Sequence, residues 1–129
     1  MAQTVTGPEF RLTERTVGKA AVARLHGEID LRAVPPLRAR LDELTAGDRP
    51  YLVVDLRAVS FIDCAGLGLL CRARDRVGRR HGRLRVVTNG DRVPRVLRAA
   101  GLDGAFALYE SPAEAVAAGR GAALAGAGD

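Results

Sequence analysis

The sequence predicts an α/β fold: a mixed, mostly parallel central sheet of four to five strands, with an N-terminal β-hairpin and about four helices. Three observations predict it. Short apolar runs alternate along the chain with stretches of helical periodicity, the pattern of strands joined by crossover helices. Tyr51 to Leu56 is apolar except for Asp55, as expected of a central strand buried on both faces of a parallel sheet. Two strand candidates near the N-terminus meet at a glycine, as a hairpin requires. A length of 129 residues suits one such domain.

Phe10 to Thr16 and Ala20 to Leu25 form the hairpin, joined around Val17-Gly18-Lys19, where Gly18 can take a positive φ. Val34, Leu37, Leu41 and Leu44 then recur at helical spacing. Pro35-Pro36 must lie in or before the first turn, because a proline disfavours α geometry in the residue before it. The helix therefore runs from about Pro35 to Thr45 and ends at Gly47. After the central strand, the turn Asp63-Cys64-Ala65-Gly66 opens a second helix to about Arg80, with Gly66, Leu69, Leu70, Ala73 and Val77 on one side. Leu84 to Thr88 is a further strand. Asn89 or Asp91 can cap a third helix through Val93, Val96, Leu97 and Ala100, stopped by Gly101. Ala105 to Tyr109 can be a last short strand, and Ser111-Pro112-Ala113-Glu114 reads as a capping box opening a helix that carries Ala115 to Ala118. Residues 1–8 and the glycine- and alanine-rich tail 119–129 are expected to be flexible, leaving a folded domain at 9–118. There are no repeats and no second domain.

Composition narrows the function classes. The chain is 47% hydrophobic and 27% charged, normal for a globular protein. No apolar run approaches the roughly 18 to 20 residues of a membrane span, and the start MAQTVTGPEF lacks the basic and apolar regions of a secretion signal; a cytoplasmic location and no membrane partner are expected. If Cys64 and Cys71 share a helix, their Cα atoms lie about 10.5 Å apart, beyond disulfide reach, in keeping with a reducing compartment. Twenty basic against fifteen acidic residues give a net charge of +5. Lys19 is the only lysine, and aromatic residues for base stacking make up 4% of the chain, with no tryptophan, so nucleic acid is an unfavoured partner. The cluster Arg72, Arg74, Arg76, Arg79, Arg80, Arg83 and Arg85 reads as a solvated face or a surface for an acidic protein.

Catalytic and cofactor signatures are lacking. Ala65-Gly66-Leu67-Gly68 has neither the lysine nor the spacing of a phosphate loop. Cys64, Cys71, His26 and His81 show no paired-ligand spacing for a metal, and no local signature marks either histidine as a base for a cysteine nucleophile. Neither an enzyme nor a cofactor or metal is expected.

Four local motifs remain: Gly27-Glu28-Ile29-Asp30, Val53-Val54-Asp55-Leu56, Phe61-Ile62-Asp63-Cys64-Ala65-Gly66-Leu67-Gly68 and Ala100-Gly101-Leu102. With them, from about Phe10 to Ala118, the chain resembles the STAS domain family, shared by bacterial anti-sigma-factor antagonists and the cytoplasmic tails of sulfate transporters. The resemblance implies a STAS-like sheet and a partner switch. In such a switch the unmodified antagonist binds an anti-sigma factor with a serine-kinase fold and frees a sigma factor, and phosphorylation of a serine or threonine after the aspartate breaks the complex. It also implies a partner surface at Asp30, Asp63, Cys64, Ala65, Gly66, Leu67 and Gly68. Transporter tails are disfavoured because no span is encoded.

Such a switch suits a helix N-terminus, where outward N–H groups and a partial positive charge meet the partner. A phosphate placed there adds roughly two negative charges to a packed interface. Here the phosphosite position holds Cys64, and a thiol is not a usual kinase acceptor. The other hydroxyl of the segment, Ser60, reads as a buried strand or turn residue. Cys64 then has two readings: an inert small residue that fits the turn, or an oxidant-sensing thiol, a tendency that the Asp63 charge opposes. Cys71 is expected in the core. Asp63 is expected to cap the second helix; Asp30 could cap the first helix or line the partner surface. Gly66 and Gly68 cost up to about 1 kcal/mol each in a helix relative to alanine, so close packing or a close partner must retain them. The alternative function is a scaffold or thiol sensor in a stress-signalling complex without phosphorylation. The sequence names no particular sigma factor and is silent on oligomeric state.

Overall fold

The hairpin at Gly18, whose φ is +60°, is the start of a mixed sheet. The computed structural model describes residues 4–125. Among them lie strands β1 (Thr4–Thr6), β2 (Phe10–Val17), β3 (Ala20–Ile29), β4 (Tyr51–Ile62), β5 (Arg83–Val87) and β6 (Leu108–Tyr109), and helices α1 (Val34–Leu44), α2 (Cys64–Arg79), α3 (Arg92–Ala99) and α4 (Pro112–Ala125), with a 3-10 turn at Leu31–Ala33. The strands pair in chain order. β1, β2 and β3 are antiparallel, and β3 to β6 are parallel, so the α/β class, the hairpin and the mostly parallel sheet are as expected.

Strand alternation divides the apolar residues between two layers. Leu12, Leu25, Leu52, Val54, Leu56 and Val86 face α1, α2 and α3 and meet Leu37, Leu41, Leu70, Val77 and Leu97 in the larger core. Val22, Val53 and Val87 face the other way, against Ala115 and Val116 of α4. Each fully buried leucine contributes about 1.5–3 kcal/mol of transfer free energy. Tyr51 pins α4 from below, its hydroxyl donating to the Ala115 carbonyl at 2.6 Å. No described helix is long and apolar enough to cross a membrane.

The structure corrects several local expectations. Thr4–Thr6, within the segment assigned to a flexible start, pairs with Arg11 to Thr13 as a sixth strand. α4 continues through Ala125, although its alanines and glycines carry no periodic signal; residues 1–3 and 126–129 of the two expected flexible ends lie outside the described residues. β3 and β4 run to Ile29 and Ile62, well past Leu25 and Leu56. α1 ends at Thr45, as expected, and the stop is made there rather than by Gly47: Thr45 is a fully buried cap whose hydroxyl donates to the Leu41 carbonyl at 2.8 Å. Asp91 precedes α3 without capping it, its carboxylate being held by Arg95 and Arg98. At α4 the box forms as expected on the serine side: Ser111 Oγ accepts from the Glu114 amide, while Glu114 reaches back to the Glu110 amide.

Arg79 of α2 is exposed, as a solvated face would have it, but Arg72, Arg74 and Arg76 are engaged with neighbouring elements. Arg72 donates twice to the Asp42 carboxylate, at 2.9 and 2.8 Å. Arg76 reaches the Asp42 carbonyl and Thr45 Oγ1, at 3.0 and 2.9 Å. Arg74 lies over the Phe106 ring at 5.4 Å, and Arg85 is buried. Arg72, Arg74 and Arg76 together fasten α2 to the end of α1 and to the loop before β6.

Candidate functional site

β4 is paired with β5 only as far as Asp55, whereas its pairing with β3 continues to Ile62. The far ends of β3 and β4 therefore project together, and the chain turns from each into a short helical start. After β4, Asp63 has extended backbone and caps α2, its Oδ1 accepting from the Gly66 amide at 3.1 Å. After β3, Asp30 does the same for the 3-10 turn: it accepts from the Arg32 amide and from the Arg32 guanidinium, both at 3.0 Å. The expected cap at Asp63 is observed; Asp30 caps the 3-10 turn ahead of α1 rather than α1 itself. The Arg32 guanidinium holds the Asp30 carboxyl below the usual carboxylate range.

The two turns are joined through the main chain. The Asp63 amide donates to the Ile29 carbonyl at 3.4 Å, and Gly66 packs against that same carbonyl. A Cβ on Gly66 would stand 2.5 Å from it and 2.7 Å from Ile62 Cγ1. Close packing therefore accounts for Gly66. Nothing lies within 4 Å of a Cβ built on Gly68, which is exposed on the outer side of the first turns.

The predicted site residues thus separate into two groups. Leu67, 3% exposed, belongs to the core, and Gly66 is buried, so these two position the turn and present nothing to a partner. Cys64 and Gly68 are exposed, and Asp30, Asp63 and Ala65 are partly so. Cys64 is the first residue of α2, where the exposed N–H groups of a helix start are found. Cys71 is half-buried against the core, and both cysteines are free.

Sequence reasoning missed the apolar flanks of this surface. Leu31 is 72% exposed and Phe61 48% exposed; one follows Asp30, the other precedes Asp63 by two residues. Helical extrapolation from Val34 and Leu37 would place Leu31 on the core side, but the tighter 3-10 turn rotates it outward. Ser60, expected to be buried, is an exposed strand residue, and its carbonyl accepts from Arg92 of α3 at 2.7 Å. Among the described residues no cluster of three metal-ligating side chains occurs.

A mixed sheet whose β3 and β4 ends present a capped helix start defines a class of α/β domain. The chain belongs to the STAS domain family, which matches it over residues 11–115. It is 33% identical over 101 residues to proteins named anti-sigma-F factor antagonist RsfB from two strains of Mycobacterium tuberculosis, covering 78% of this chain and 82% of the relative. A crystal structure of an anti-sigma factor antagonist from Mycobacterium paratuberculosis superposes with a TM-score of 0.78 at 30% identity, covering 90% of this chain and 99% of the other. The Bacillus cell fate determinant SpoIIAA in its phosphorylated form shares the fold, with a TM-score of 0.63 at 24% identity over 83% of this chain and 96% of that one.

Proposed function

We propose that the chain is an anti-sigma-factor antagonist. It binds an anti-sigma factor of serine-kinase fold through the Cys64 turn and so releases a sigma factor, acting in the cytoplasm by binding alone and without catalysis of its own. The observation that supports this most is the exposed, capped turn at Asp63-Cys64, flanked by exposed Leu31 and Phe61, in a chain related at 33% identity to proteins named as antagonists. Apolar side chains surrounded by partly exposed Asp30 and Asp63 have the make-up of an interface centre with a polar rim.

Cys64 distinguishes this antagonist from a phosphorylation-controlled one. A kinase partner transfers its phosphoryl group to a hydroxyl, and position 64 offers a thiol. The complex is therefore not dissolved by modification at this position. The test is to incubate the protein, and its Cys64→Ser variant, with candidate anti-sigma factors and ATP. Wild type forms a complex that persists and takes up no label at position 64, while the serine variant binds, becomes labelled and dissociates. Failure of both forms to bind any candidate would overturn the antagonist reading; label on the wild-type protein at Ser60 would overturn the assignment of a lost acceptor.

A further inference from the structure

α4 covers only part of its side of the sheet. It packs on Val22, Val53 and Val87, and among the described residues no helix lies on the remaining area of that face, over β2, β3 and the outer half of β4. The register fixes what stands there. Arg15 is opposite Val22, Thr13 opposite Arg24, and Arg11 opposite His26, while Arg24 is beside Asp55, with Arg57 two residues further along β4. Residues directly opposite or two apart share a face. Four arginines and a histidine are therefore gathered on one open sheet surface, with Glu28 and Phe61 on the same face at its far end. Thr13, Arg15, Arg24, Asp55 and Arg57 line a shallow cavity of about 450 Å³ within it.

The charge on this surface is only partly neutralised from within, by Asp55, which pairs with Arg57 and attracts Arg24. Arg11, Arg15 and Arg24 are exposed, and their side chains make no hydrogen bond or ion pair among the described residues. Asp55 is 1% exposed and already committed to Arg57, which donates to it from its amide, Nε and a terminal nitrogen at 3.0, 3.0 and 2.8 Å. Glu14 also borders the cavity, but its carboxylate is bonded to Arg40 of α1. By contrast, the arginines of α2 that face α1 are spent on Asp42 and Thr45.

We infer that this open sheet face is a second docking surface, which takes an extended acidic segment of a partner protein and is separate from the Cys64 turn. Arg11 and Arg15 lie four residues apart on one strand, about 13 Å, and Arg24 stands between them on the next. An extended chain with carboxylates on alternate residues repeats at about 6.7 Å and can meet these guanidinium groups in turn, each by the paired hydrogen bonds that carboxylates accept from arginine. Carboxylate rather than nucleic acid is favoured because the buried Asp55 carboxylate, and Glu28 at the far end of the face, interrupt the continuous positive field that a phosphate backbone follows.

The experiment titrates the full chain with a fluorescein-labelled twelve-residue peptide of alternating glutamate and threonine, followed by anisotropy at about 0.15 M salt, where long-range attraction is screened. Wild type binds. The double variant Arg15→Glu and Arg24→Glu, on exposed positions, weakens binding at least about tenfold, as charge reversal within a complementary patch does. The milder Arg15→Gln and Arg24→Gln pair weakens it less, and Leu31→Ala, in the turn beside the Cys64 surface, leaves it unchanged. Absence of wild-type binding, equal binding by wild type and the Glu double variant, or loss of binding in Leu31→Ala would each overturn the proposal. So would binding of a single-stranded oligonucleotide in preference to the peptide.

Discussion

Two glycines of the same turn have opposite reasons for being there, and single methyl groups distinguish them. At Gly66 a methyl group would overlap the Ile29 carbonyl; Gly66→Ala must push α2 away from β3 and is expected to cost about 1–3 kcal/mol as an overpacked site. At Gly68 the same methyl group meets open space, so Gly68→Ala should stabilise the fold by about 0.5–1 kcal/mol through helix propensity. Urea unfolding of the two variants checks both signs. If Gly68 is kept for the partner, the stabilised variant should bind an anti-sigma factor more weakly than wild type; unchanged binding would remove Gly68 from the interface. Nothing in the string Ala65-Gly66-Leu67-Gly68 tells these glycines apart, because the atom that decides the matter, the Ile29 carbonyl, is contributed by a strand more than thirty residues earlier.

Between elements, the junction of α1 with α2 rests on Asp42. Its carboxyl lies below the usual carboxylate range chiefly through the hydrogen bonds from Arg72, against the opposing effect of burial. Because the folded value is depressed, the stabilisation is present above the unfolded value of about 3.9 and disappears as pH falls through the folded one. Asp42→Asn is expected to cost about 1 kcal/mol at neutral pH, discounted for a partly exposed pair. Unfolding curves of wild type and variant should converge as pH falls below the depressed folded value and the Asp42 carboxylate is protonated in both states. The order of elements and the hairpin were legible in the sequence because apolar spacing and turn glycines report them directly. The longer ends of β3 and β4 were not, since His26, Glu28, Arg57 and Ser60 interrupt the apolar pattern where the strands lose one covered face. The candidate turn was legible from its aspartate and glycines, whereas its apolar flank was hidden: Leu31 fits the helical repeat of α1 and only the 3-10 geometry turns it out.

For the molecule as a whole, acid should unfold the domain in two stages. His26 is held below its ordinary value, first by burial and further by the neighbouring Arg11 and Arg24, so that its neutral form is favoured in the fold. Stability from this source is present above about pH 6.5 and is lost as pH falls from there through the folded value. Asp55 is depressed because the hydrogen bonds and charge of Arg57 outweigh the burial that opposes them, and Asp30, Asp42 and Asp91 are depressed by their arginines; these contributions are lost at lower pH, below about 4. Unfolding midpoints measured from pH 8 to pH 3 should show a shallow decline followed by a steep one. His26→Gln should remove the first and leave the second, and a single transition in wild type that His26→Gln does not alter would contradict the assignment.

The Ile29 carbonyl has one more implication. Because it receives the Asp63 amide and excludes all but hydrogen at Gly66, the location of the α2 start is dictated by main chain touching main chain, with no side chain of residue 64 taking part. Shape and reactivity at the turn are thus separable. Exchanging sulfur for oxygen, as in Cys64→Ser, is expected to change the chemistry offered at position 64 without rebuilding the scaffold that presents it.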